Sequence, residues 1–181
     1  MIKHLSLLLC MLLFSSCSDK DKDDTDLDNI KDVKVEHSSS WTLVLEAESG
    51  DVRPSFETLK LEGDSLQVIH LPLGVVKDKN KAKGIASYKL DLDDDREVNF
   101  WFRVKWNGTC ANSFNLRFTG EPAKVIGDDD SLEWHWVRGP QDYNLSKGEF
   151  KFDIEQREDD IMIDQIYLTD NKTFVPQGIE K

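Results

Sequence analysis

The chain has 181 residues, 23 Lys+Arg against 35 Asp+Glu, and a formal net charge of −12 at pH 7. A length of this order fits one domain and a tail, and the acidic surplus excludes binding to a phosphate backbone, which requires a concentrated basic surface. With 39 % hydrophobic residues and 9 Phe, 5 Trp and 3 Tyr, the chain can bury enough apolar surface to offset its ordering entropy, so a core is expected.

At the start, Lys3 and His4 precede an apolar stretch from Leu5 to Phe14, followed by Ser15, Ser16 and Cys17. That stretch is half of what a helix needs to cross a hydrocarbon core of about 30 Å, so residues 1–16 read as a signal peptide rather than a membrane span. The Phe14-Ser15-Ser16-Cys17 junction resembles the lipobox of bacterial lipoproteins, with Phe14 where Leu is usual. The resemblance implies that Cys17 is lipidated and becomes the new N-terminus; the alternative is an ordinary secretory signal with an incidental cysteine.

Residues 17–40 carry Asp19, Asp21, Asp23, Asp24, Asp26 and Asp28 without an apolar period, the composition of a solvated, self-repelling tether. An acidic run behind a lipidated cysteine resembles the surface-export signal of Bacteroidetes lipoproteins; a plain spacer is the alternative. The export reading implies an outer-membrane lipoprotein exposed at the cell surface, in which the lipid is the membrane contact. Cys10 leaves with the signal and Cys17 carries lipid, so Cys110 is left without an intramolecular disulfide partner.

From Trp41 to Lys181 the dominant period is two. Trp41, Leu43, Leu45 and Ala47 alternate with Thr42, Val44, Glu46 and Glu48, and Phe100, Phe102, Val104 and Trp106 alternate with Asn99, Trp101, Arg103 and Lys105. Further strands are expected over residues 66–71, 85–92, 113–118, 134–138, 149–155 and 161–169, separated by turn-rich stretches such as Gly120-Glu121-Pro122 and Gly139-Pro140. Eight or more short strands with no sustained helical period indicate an all-β fold, a two-sheet β-sandwich or a barrel.

Two constellations carry chemistry. Glu46 and Glu48 lie two apart, on one face if the strand continues, close enough to share a cation. Asp164 falls in line with Met162, Ile166 and Leu168, where an ionised carboxylate is costly unless it is paired or bound to metal. Calcium suits such oxygen donors; a salt bridge to Lys or Arg, or an edge position, is the other reading. The second constellation is aromatic. Trp101 and Arg103 share the face opposite the Phe100 and Phe102 row, and Trp134 and Trp136 bracket His135. An exposed Trp stacks on a sugar ring while Arg and Asn satisfy hydroxyls, although a core position is the commoner fate of any one Trp, and Trp106 in particular reads as core.

Leu45-Glu46-Ala47-Glu48-Ser49-Gly50, Trp101-Phe102-Arg103-Val104, Asn112-Ser113-Phe114, Trp134-His135-Trp136, Arg157-Glu158 and Ile163-Asp164-Gln165-Ile166-Tyr167-Leu168 occur in that order. Over residues 41–178 the set resembles the galactose-binding-like jelly-roll domains related to carbohydrate-binding module families 6 and 35. The resemblance implies a two-sheet sandwich with a structural calcium held by Glu46, Glu48 and Asp164. It also implies glycan binding in loops at one end, here residues 77–83, 107–112, 128–134 and 157–160, with Arg103, Asn112 and Trp134 as expected contacts. The chain departs from the family pattern at Asp93-Asp94-Asp95-Arg96 and at Asp159-Asp160, where glycine is usual.

The expected function is therefore a non-catalytic, lipid-anchored glycan-binding module for polysaccharide utilisation, with a neutral glycan as partner and no nucleic acid. A surface scaffold or adhesion sandwich without a sugar site is the alternative. An enzyme is disfavoured: the acidic pairs Asp159/Asp160 and Glu155/Glu158 have little chain in which to build a deep cleft, and no nucleophile motif, P-loop or zinc motif is present.

Overall fold

The computed structural model describes residues 40–62, 65–77, 82–108, 110–129 and 132–181. The expected signal peptide, Cys17 and the expected acidic tether lie outside the described residues, as do residues 78–81, 109 and 130–131 of three of the expected glycan loops. The compact unit that carries the described residues spans Ser38–Lys181.

Twelve strands are present among these residues: β1 (Thr42–Glu46), β2 (Asp51–Arg53), β3 (Glu57–Lys60), β4 (Gln67–Leu71), β5 (Ile85–Leu92), β6 (Arg96–Trp106), β7 (Ser113–Phe118), β8 (Lys124–Gly127), β9 (His135–Arg138), β10 (Tyr143–Leu145), β11 (Gly148–Glu155) and β12 (Ile161–Thr169). They form two antiparallel sheets. One has seven strands, ordered β10-β6-β12-β4-β3 with β1 added beside β12 and β9 beside β6; the other has five, ordered β2-β5-β11-β7-β8. The fold is the expected all-β sandwich.

The period-two rows explain why the sheets face each other. Phe100, Phe102, Val104 and Trp106 of β6 are all fully buried, as are Phe114 and Leu116 of β7 and Ile154 of β11. The rings interlock edge to face, Phe100 on Phe152 at 5.3 Å and Phe102 on Phe114 at 5.1 Å between centroids, the geometry that aromatic quadrupoles favour. Asn99, Trp101, Arg103 and Lys105 point the other way, onto the outer face of the seven-stranded sheet.

Two local departures from period two decide where the candidate metal residues sit. Glu46 closes β1, and Ala47–Ser49 turn through a 3-10 helix that carries the chain from one sheet toward the other. Glu46 and Glu48 are thus not on one strand face, as their spacing suggested. In β12 a bulge between Ile163 and Gln165 inserts Asp164 as an extra residue opposite Arg103. The bulge shifts the apolar row from Ile161 and Ile163 to Ile166 and Leu168, all in the core, which corrects the division expected from sequence. A one-residue insertion exchanges the faces of everything beyond it, so Gln165 and Tyr167 turn outward while Ile166 and Leu168 point in.

Candidate functional site

At Asp164 strand β12 also changes partner, from β4 (Ile161–Ile163) to β1 (Gln165–Thr169). The first and last strands are neighbours, as the cation reading required, and Glu46 pairs directly with Gln165. Asp164 is fully buried. One of its oxygens, Oδ2, accepts from Arg103 Nη1 at 2.6 Å, so the salt-bridge reading holds. The other, Oδ1, is buried without a hydrogen-bond partner, and so is Oε2 of Glu48. Glu46 Oε1 accepts from Gln165 Nε2 at 2.9 Å.

Charge is crowded here. Burial pushes the Glu48 carboxyl above its ordinary range, and the negative charges of Glu46 and Asp164 push the same way. Burial also raises Asp164; Arg103 opposes the shift without reversing it, and Glu46 adds to it. Among the described residues no group of three or more His, Cys, Asp or Glu stands at metal-holding spacing. The three carboxylates nonetheless fit a hard cation in donor chemistry, oxygen only, with two orphaned buried atoms that lack any other counterpart.

Arg103 has a second partner. Its guanidinium carbon lies 4.8 Å from the centroid of the Trp134 ring, within cation–π range. Trp134 precedes β9, which pairs with β6 so that Arg103 faces Trp136 and Val104 faces His135. Trp134 is half-buried, and Arg103 is only 8 % exposed. Arg103 therefore backs the ring rather than reaching outward. Trp136 gives its Nε1–H to Gly178 O at 3.1 Å, and Tyr167 stacks on Phe174 at 5.1 Å. The C-terminal segment thus lies over this part of the outer face, a covering that no periodicity in residues 170–181 announced.

Three of the expected glycan loops, at residues 107–112, 128–134 and 157–160, gather at one end of the sandwich among the described residues, with Gly74 beside them. Asn107 Nδ2 donates to Asp160 at 3.0 Å, the Asn112 backbone N–H to Glu158 at 3.0 Å, Asn112 Nδ2 to Asp129 at 3.3 Å, and the Gly74 N–H to Asp159 at 2.6 Å. Trp106, buried as expected, donates Nε1–H to Asp128 at 2.8 Å. Gly127 allows this closeness, because a Cβ there would overlap the carbonyl oxygen of Asn112. Asp160 has φ of 62°, a left-handed conformation that Asp tolerates better than most residues. The acidic turn at residues 93–95 lies at the opposite end, where Asp93 binds Arg96 and Asp95 accepts the Lys147 N–H, so its charge does not bear on these loops.

The structure thus brings Arg103 and Trp134 together with the Glu46, Glu48 and Asp164 cluster. Asn112 stands apart from them, at the loop end beside β7, joined to Glu158 and Asp129.

The fold is similar to the C-terminal family 6 carbohydrate-binding module of LamC, a marine laminarinase from Zobellia galactanivorans, at 17 % identity and a TM-score of 0.55, over 71 % of this chain and 99 % of that one. A family 6 module from lichenase 5A of Cellvibrio mixtus, solved with cellotriose, matches at 16 % identity and a TM-score of 0.52, over 73 % and 98 %. A GH26-CBM35 β-(1,4)-mannanase from Podospora anserina matches at 13 % and 0.56, over 77 % of this chain and 30 % of that one. The chain spans nearly all of the two isolated modules and under a third of the mannanase. No protein-family model matches the chain, and no curated protein matches it. At these identities the likeness establishes the architecture, the two-sheet sandwich of carbohydrate-binding modules.

Proposed function

We propose that this chain is a non-catalytic glycan-binding module that captures a neutral poly- or oligosaccharide, displayed on a lipid-anchored acidic tether at the cell surface of an outer membrane. The observation that carries the reading is the Trp134 ring, half-buried on the outer sheet face and backed by the Arg103 guanidinium at 4.8 Å. A ring held in this way offers a flat apolar platform for a sugar face. Support also comes from fold: a module of the same architecture was solved with cellotriose. The carboxylates of Asp129, Glu158, Asp159 and Asp160 at the loop end favour a neutral glycan over an anionic one.

Calcium belongs to the same proposal, with Glu46, Glu48 and Asp164 as its holders. A divalent ion would supply charge compensation to carboxylates that otherwise repel one another, at the point where β1 leaves its sheet. A non-catalytic role is supported by what the acidic groups already do. Glu155 is held by Arg117 at 2.5 Å and Lys83 at 2.7 Å, and Glu158 accepts from Asn112 and Ser113. Asp159 and Asp160 accept from Gly74 and Asn107, so these carboxylates serve as loop ties rather than as an acid and base facing across a cleft.

The test is titration of the chain against a panel of plant and host glycans, once with calcium and once with chelator. Saturable binding to a neutral glycan is expected; no binding to any of them under either condition contradicts the reading and leaves the scaffold alternative.

A further inference from the structure

Asp164 faces two ways. Its Oδ2 is on Arg103 at 2.6 Å, while Oδ1 is buried and without a hydrogen-bond partner, as is Oε2 of Glu48. Arg103 also faces two ways, toward that carboxylate and toward the Trp134 ring. The side chains of Arg103 and Asp164 are 10 % and 1 % exposed, so water screens their attraction weakly.

We propose that Arg103 is a positioning residue that couples divalent-cation loading of the Glu46, Glu48 and Asp164 cluster to the hold on the Trp134 ring, so that cation and sugar bind cooperatively. The inference rests on the glycan reading of Trp134 given above. The attraction of the guanidinium is divided between a carboxylate and a ring. An ion on Oδ1 draws charge away from Oδ2 and repels the guanidinium, and both effects shift Arg103 toward the ring. A ring fixed before the sugar arrives loses less freedom on binding it. Linkage makes the coupling reciprocal, so sugar tightens cation binding by the same factor.

The experiment uses the full chain, with the Trp134 emission isolated as the difference between wild type and W134F, since there are 5 tryptophans. Calcium chloride added to chelator-treated protein is expected to change that component. In R103K, which keeps the charge but loses the planar guanidinium, the change disappears while calorimetry still registers calcium binding. Neutral oligosaccharides bind wild type about fivefold tighter with calcium than with chelator, and R103K equally in both.

A Trp134 component that calcium leaves unchanged in the wild type overturns the coupling, as does an equal change in R103K or the absence of calcium binding. The wild-type comparison needs no Arg103 variant, so it decides even if R103K fails to fold. If sugar binds while calcium leaves Trp134 unmoved, the coupling falls and the glycan reading stands. If calcium moves Trp134 through Arg103 but no sugar binds, the glycan reading falls and the cation-to-ring coupling stands.

Discussion

Replacing Arg103 by Met leaves the Asp164 carboxylate buried, with neither oxygen paired. The bond removed spans 2.6 Å, and the two side chains are 10 % and 1 % exposed. Removing one member of a buried pair costs about 3–5 kcal/mol, because the remaining charge keeps its desolvation penalty; losing the contact with Trp134 adds about 0.5–1 kcal/mol. Against a total stability of about 5–15 kcal/mol for a domain, R103M should shift the urea midpoint markedly when measured in chelator at pH 7.5. The sign with pH follows from Asp164. Burial already raises its carboxyl above the ordinary 3.8, and without Arg103 it rises further. A raised acid binds protons more readily in the folded state, so the R103M penalty should shrink as pH falls toward 5. Adding Asp164→Asn removes the unpaired charge and should recover most of the loss at pH 7.5. An R103M penalty below about 1 kcal/mol, or a double variant no more stable than R103M, would refute the buried-pair account.

Three further outcomes follow from the structure. Arg117 and Lys83 pull Glu155 down to about 2 from 4.5, so its contribution is complete above pH 4.5 and lost as pH falls toward 2. The shift corresponds to roughly 3 kcal/mol, but Arg117 and Lys83 are 40 % and 49 % exposed, and screening reduces the measurable loss in Arg117→Met at pH 7 to about 1–2 kcal/mol; an acid unfolding limb identical in Arg117→Met and wild type would contradict it. Gly127→Ala forces a Cβ into the Asn112 carbonyl and should lower stability by about 1–3 kcal/mol in thermal denaturation, an unchanged midpoint being the adverse result. Asp160→Gly relieves a φ of 62° but gives up the bond from Asn107; paired with Asn107→Ala, which removes that bond beforehand, it should stabilise by about 1 kcal/mol, and a loss in that background would argue against strain at Asp160.

The sandwich was legible because period two is strong wherever one sheet face is buried. The rows Phe100-Phe102-Val104-Trp106 and Ser113–Phe118 fall in the strands and faces that their alternation indicates. Four short strands, β2, β3, β8 and β10, gave no such signal. Each has three or four residues, too few to show alternation, and their burial patterns contain at most two buried positions. The β12 bulge was hidden for a different reason. Inserting one residue into a run as apolar as Ile161–Leu168 leaves every position hydrophobic except Asp164 and Gln165, so alternation could not show where the faces exchange. The polar intrusion itself was the available sign, and Asp164 was singled out for it. The 3-10 turn was equally silent, since Leu45-Glu46-Ala47-Glu48 alternates as well as a strand does. Trp134 was recognised by its neighbourhood of aromatics. That Arg103 lies behind it depends on the pairing of β6 with β9, a long-range register that no local pattern encodes.

The central claim is that Trp134 is a sugar platform, and calorimetric titration of wild type and Trp134→Ala with the same neutral oligosaccharide tests it most directly. Wild type should bind, and Trp134→Ala should lose about 1–3 kcal/mol of binding free energy, roughly fivefold to 150-fold in affinity, while its thermal midpoint falls only by the few degrees that loss of the Arg103 contact implies. Equal affinity in the two proteins would contradict the account.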